Sequence, residues 1–174
     1  MFERTTDETF DWDLDDGAQP EGGNPLAAVE SACLVILDPL HAEAVQLATG
    51  FMEAMLRARE AHPYRERGSI GVRVRRSPSP RSAPGVFLIE WFRVRGRHRT
   101  DYIARGAGHR YTLRAFGRIE PWERELIEIY EPRFAEIRAL LYQIGILRRQ
   151  ARQLAGALEC WQGAAGAPSL TGGA

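Results

Sequence analysis

Apolar residues recur along this chain with two different periods, and the order of those periods restricts the fold more than any other feature. Leu40, Ala44, Leu47, Phe51, Met55 and Ala58 fall three or four residues apart, which is one stripe along a helix. In "SIGVRVRR" the period drops to two, with Ile70, Val72 and Val74 on one strand face and Arg73 and Arg75 on the other. Ile127, Tyr130, Phe134, Ile137, Leu141 and Ile144 then restore spacings of three and four, the pattern of a seam between helices. Helix, strands, helix is the order the chain must satisfy.

Local signals bound these segments. Asn24 can cap and Pro25 suits a first helical turn; Asp38 and Pro39 repeat the same start, so 25–62 reads as one helix or a broken helix pair ending near His62 and Pro63. "SPSPRSAPG" is a connection that no helix crosses. "VFLIEWFRVR" makes a second strand, Gly96 turns the chain, and "TDYIAR" returns antiparallel before "GAGHRY" breaks it, giving a three-stranded ribbon over 69–111. Pro121 opens a last helix, expected over 121–155, with Glu120, Glu123 and Glu125 at its positive end and a bend at Pro132. Arg148, Arg149 and Arg152 then fall near its C-terminal end, where the dipole favours cations and where phosphate contact is the alternative use.

The expected fold is α+β: an N-terminal helix or broken pair, an antiparallel three-stranded basic β-ribbon, and a long C-terminal helix packed on the first. A chain of 174 residues holds one such domain, here 25–155, between a disordered acidic arm (1–24) and a flexible Gly/Ala-rich tail (156–174). Inside the arm, Phe10, Trp12 and Leu14 alternate with Asp11, Asp13 and Asp15, a short strand or docking motif if it is not simply an acidic tail. Eight acids against Arg4 give the arm a net charge of −7, enough to fold over basic residues and compete with a polyanion at low ionic strength.

Several chemistries lack their residues. His41, His62, His98 and His109 have no metal-binding spacing, and Cys33 and Cys160 lie far apart, as reduced thiols would. No phosphate-cradling loop is present, and "RGAGHR" is too poor in glycine for a dinucleotide site. Tyr102 and Tyr111 sit among arginines, but a tyrosine that nicks DNA also needs a metal. We therefore expect no catalytic residues, no metal and no cofactor. No apolar run approaches the roughly 20 residues that span a bilayer, and the acidic N-terminus is unlike a signal peptide, so a cytoplasmic protein with no membrane partner is expected.

Charge carries the functional signal. The chain has 23 arginines, no lysine and zero formal net charge, yet residues 1–53 hold 12 acids against Arg4, while residues 54–118 hold 16 arginines against four acids. A codon bias explains why the cations are arginines, not why they gather in the middle third, which reads as a footprint for a polyanion. "FRVRGRHR" places Arg93, Arg95, Arg97 and Arg99 at every second position. Residues two apart on a strand face lie ~6.6 Å from each other, so Arg93 and Arg95 can each reach a backbone phosphate, with Arg97 and Arg99 at the hairpin tip. A two-stranded ribbon fits the major groove of double-stranded DNA. Arg73, Arg75, Arg105 and Arg110 widen the same surface, and Trp91 and Tyr102 serve either as packing residues or as base-stacking platforms.

With these residues in place, "IEWFRVRGRHRTDYIARGAGHRY" followed by "EPWERELIEIYEPRFAEIRALLYQIGILRR" resembles the MobI family of accessory proteins for conjugative transfer. The resemblance covers residues 69–154 and rests on the Trp91 strand, the Arg-rich turn, the Tyr102 strand closing at Gly106 and Gly108, then Pro121-Trp122-Glu123, Leu126-Ile127, Phe134-Ala135 and Ile137-Arg138. It implies a protein of integrative elements and plasmids that assists a relaxase at an origin of transfer, binding that DNA without cutting it. The alternative is a protein–protein adaptor or DNA-binding regulator that forms a homodimer through its helical seam.

Overall fold

The computed structural model describes residues 25–63, 68–77, 83–96 and 99–165. The acidic arm, Arg97 and the last nine residues of the tail lie outside them. The elements run α1 (Pro25–Ala61), β1 (Ile70–Arg76), β2 (Phe87–Val94), β3 (Thr100–Tyr102), a 3₁₀ turn (Leu113–Phe116) and α2 (Pro121–Ala165). Both helices open on a proline, whose missing N–H costs nothing in a first turn.

α1 is one helix, not a broken pair. Pro39 lies inside it, and the carbonyl it leaves without a donor belongs to Val35, a residue 75% exposed. α2 runs to Ala165, ten residues past the expected end, because Gly156 and Gly163 weaken a helix without stopping it and the residues around them are good helix formers. The tail expected from residue 156 is therefore helical as far as Ala165.

α1 and α2 pack antiparallel, with Glu30 beside Arg148 and Arg152, Glu43 beside Arg133, and His62 stacked on Trp122. The strands form an antiparallel sheet in the order β1-β2-β3, with Val72 opposite Trp91, Arg73 opposite Glu90, and Arg93 opposite Asp101. Ile70, Val72, Phe87, Ile89 and Trp91 turn one face of the sheet onto the helix pair, and among the described residues no helix lies on the other face. Both helical stripes meet there: Ala44, Phe51 and Met55 are buried from α1, and Ile127, Phe134, Ile137 and Ile144 from α2. Trp91 is the centre of this core, with ring centroids 4.8 Å from Phe51, 5.3 Å from Phe116 and 5.7 Å from Phe134, all edge to face.

Two acids of α2 hold the layers in register. The buried Glu131 carboxylate accepts hydrogen bonds from Trp91 Nε1 at 2.6 Å and the Tyr111 amide at 2.7 Å, and a bidentate pair from Arg138 at 2.8 and 2.9 Å. Arg138 also donates to the His109 carbonyl and lies over the Tyr111 ring. Burial pushes the Glu131 carboxyl up and the Arg138 guanidinium down from their ordinary values, and each pulls the other back. Desolvation thus weighs heavily on the pair, whose role is to specify geometry. Glu123, also buried, reaches back to the Glu120 N–H as half of a capping box and accepts from the amides of Ser69 and Ile70 at 2.7 and 3.0 Å, joining the α2 N-terminus to the start of β1. Gly68 makes that approach feasible: its φ is +64°, and a Cβ there would run into the Glu123 carboxylate.

Glu131→Leu, which strands Arg138 and two N–H donors in the core, should cost about 3–5 kcal/mol in urea unfolding. Adding Arg138→Met should give a total loss at least about 1 kcal/mol below the sum of the single losses. Gly68→Ala should destabilise by more than about 2 kcal/mol through strain and the displaced carboxylate together.

Candidate functional site

The open face of the sheet and the β2–β3 hairpin collect most of the arginines singled out in the sequence. On the open face Arg73 and Arg75 project beside Glu90, which accepts a two-pronged contact from Arg75 at 2.7 and 3.2 Å and lies 3.5 Å from Arg73 Nε. Hydrogen bonding from Arg75 holds the Glu90 carboxyl below its ordinary value, partial burial opposes this, and the charges of Arg75 and Arg73 add to the lowering. The Arg73 guanidinium also lies 4.4 Å from the Tyr102 ring centroid, a cation–π contact spanning the three strands. Tyr102 is half exposed, and its ring packs with a neighbour of the sheet while remaining accessible.

At the hairpin end, the Arg95 N–H donates to the Arg99 carbonyl and extends the ladder past β2. Both side chains converge on Asp101, at 2.9 and 3.3 Å, and remain 61% and 77% exposed. Arg93 has the same parity as Trp91 and so lies on the helix-facing side of the sheet, at its margin. Its Nη2 donates to the carbonyls of Phe116 and Arg118, the latter at 2.9 Å, where the turn through Gly117 (φ +61°) presents the carbonyls on either side of the glycine toward the sheet. Between hairpin and 3₁₀ turn lies an open depression of about 460 Å³, whose lining includes Arg93, Arg95, Asp101, Tyr102 and Arg118. Arg93, clamped from behind, and Arg95 and Arg118 beside it supply donors that a phosphate oxygen accepts.

Arg93 and Arg95 therefore do not stand in one uniform exposed row. Their side of β2 lies under the helices at Trp91, reaches the margin at Arg93 and opens to solvent only at Arg95. Trp91 is wholly buried with its indole N–H used by Glu131, so it presents no face to a base, and its place is in the core. Arg105 and Arg110 are exposed on the segment after β3, beside a second cleft of about 420 Å³ in the case of Arg105, and are separate from the hairpin depression. Arg148 is buried, contacts Glu30 and donates to the Pro84 carbonyl, and since α2 continues well beyond it, neither a helix end nor a phosphate explains it.

Sequence reasoning passed over the acids that organise this surface. Glu90 is signalled by its place in β2, two residues from Trp91 in neither direction but one before it, hence on the opposite, open face, and Asp101 by its place directly after the turn. Arg118 carries no such signal, because the turn that brings it to Arg93 depends on tertiary packing. Among the described residues no group of three or more His, Cys, Asp or Glu side chains could hold a metal ion, and no helix is long and apolar enough to cross a membrane.

No curated protein and no solved structure matches the chain. A family model described as MobI protein matches residues 40–152, from the second half of α1 through all three strands and most of α2. The matched stretch contains the Trp91–Glu131–Arg138 core, the open arginine face and the hairpin depression, and covers well over half of the sequence. The chain therefore belongs to the MobI family, and its setting is conjugative mobilisation.

Proposed function

We propose that this protein is a non-enzymatic, cytoplasmic accessory factor of conjugative transfer that binds double-stranded DNA at the transfer origin and helps recruit or position a relaxase. The observation that carries this reading is the sharing of carboxylates: Arg73 and Arg75 divide Glu90, while Arg95 and Arg99 divide Asp101. Each pair retains an excess positive charge and unused N–H donors, on a sheet face and a hairpin end that neither α1 nor α2 covers. Phosphate oxygens satisfy such forks with charge-assisted, bidentate hydrogen bonds. Glu90 and Asp101 draw the arginines together in pairs and offset part of their charge. The family setting supplies the DNA, the hairpin supplies a ribbon of major-groove width, and Tyr102 remains accessible for packing against a sugar or base.

Binding to duplex DNA, followed by fluorescence anisotropy over a salt series, should weaken steeply as salt rises. Replacing both Arg95 and Arg99 with Ala, two exposed positions, should flatten the log–log slope by about 1.8, at roughly 0.9 per phosphate contact. Asp101→Asn should act in the opposite direction and tighten binding to all sequences severalfold at low salt. Absence of binding at low salt, or a slope unchanged in the double variant, would remove DNA as the partner of this surface.

A further inference from the structure

α2 outruns its partner helix, and the uncovered part is apolar. Because Glu30 of the second turn of α1 stands beside Arg148 and Arg152, α1 begins opposite the 150s while α2 continues to Ala165. Leu147, Ala151, Leu154, Leu158 and Trp161 follow one another at spacings of four and three, a single stripe on the side facing the start of α1. Leu26 and Val29 of α1 form the other wall of a groove of about 350 Å³ whose floor is the Leu147, Ala151, Leu154 and Leu158 part of this stripe. Leu154 is 66% and Trp161 69% exposed, so the stripe is a contiguous patch and not scattered surface leucines.

We propose that this groove is the docking site of the chain's own N-terminal segment, with Phe10, Trp12 and Leu14 laid along the Leu147–Leu158 stripe. The segment lies outside the described residues, but its point of attachment is fixed. It joins α1 at Pro25, one residue before Leu26 in the groove wall. The residues between Leu14 and Pro25 can extend about 36 Å, against a groove floor of about 16 Å between Leu147 and Leu158. In an extended segment Phe10, Trp12 and Leu14 share one face and Asp11, Asp13 and Asp15 the other, so the apolar side chains enter the groove while the carboxylates stay in water.

Area argues for a tethered occupant over a second copy. A stable dimer buries about 800 Å² on each partner, whereas the exposed parts of Leu147, Leu154, Leu158 and Trp161 amount to roughly 400 Å². A patch of that size holds a segment whose attachment keeps it at an effective concentration in the millimolar range. Docked there, Asp11, Asp13 and Asp15 sit about 40 Å along α2 from the hairpin end, and do not screen Arg95 and Arg99.

Cys160 provides the test, since it is exposed on the overhanging turns while Cys33 is buried, so a nitroxide reagent labels Cys160 selectively in the intact chain. Backbone amide signals of residues 10–15 should lose most of their intensity in the labelled protein and keep the loss at high salt, because the contact is apolar. Leu154→Ser with Leu158→Ser, both at exposed sites, should restore those signals without disturbing the spectrum of the sheet. Undiminished signals from 10–15 in the labelled wild-type chain would overturn the proposal. So would a loss that appears when labelled and isotope-enriched chains are different molecules, which assigns the groove to a second copy, or a loss that vanishes with salt, which assigns the arm to the arginine surface.

Discussion

The Glu131 carboxylate is the point at which the layers of this protein are joined. It takes the indole N–H of Trp91 from the sheet, the amide of Tyr111 from the segment after β3, and both forks of Arg138 from its own helix. The consequence reaches the surface. By holding Tyr111 it positions the chain leading into the 3₁₀ turn, whose Phe116 carbonyl, with that of Arg118, clamps Arg93 at the edge of the hairpin depression. A buried carboxylate so placed weakens the fold by its desolvation and strengthens it by removing alternatives, since any shift of strand or turn leaves donors unpaired in the core.

The large-scale order of the fold was legible because period is a local property. The stripe from Leu40 to Ala58 and that from Ile127 to Ile144 both face the core as their spacing requires, and the three strands pair in the antiparallel order expected. Two boundaries were not legible. Pro39 resembles a helix start in sequence, but α1 passes through it on a turn whose Val35 is exposed. Gly156 and the alanines around it resemble a tail, yet the same stretch continues the helix.

The site was legible in its charge and illegible in its pairing. Segregation of arginines identified the surface, and alternation identified Arg73 and Arg75 on one strand face. Alternation also put Trp91, Arg93 and Arg95 together on the other face of β2, which is correct as parity, but period alone does not say where the helices stop covering a strand. Glu90, Asp101, Glu123 and Glu131 each act through partners 15 to 54 residues away or across a turn, information that spacing does not contain, although the seven-residue separation of Glu131 and Arg138 does place them on one face of α2. Trp91, Glu123, Phe134 and Arg138, which carry much of the family resemblance, prove to be core and cap residues, so the resemblance speaks first to scaffold and only through it to the arginine surface.

That the open arginine face and hairpin contact duplex DNA is the central claim, and the arginine side chains can report it directly. In a titration of the isotope-labelled protein with a transfer-origin duplex, followed by the Nε–H signals of arginine, those of Arg73, Arg75, Arg95 and Arg99 should shift together. Those of Arg138 and Arg148, buried and engaged within the fold, should stay in place. Shifts confined to Arg149, Arg152 and the end of α2, or none at a duplex concentration that saturates binding, would contradict it.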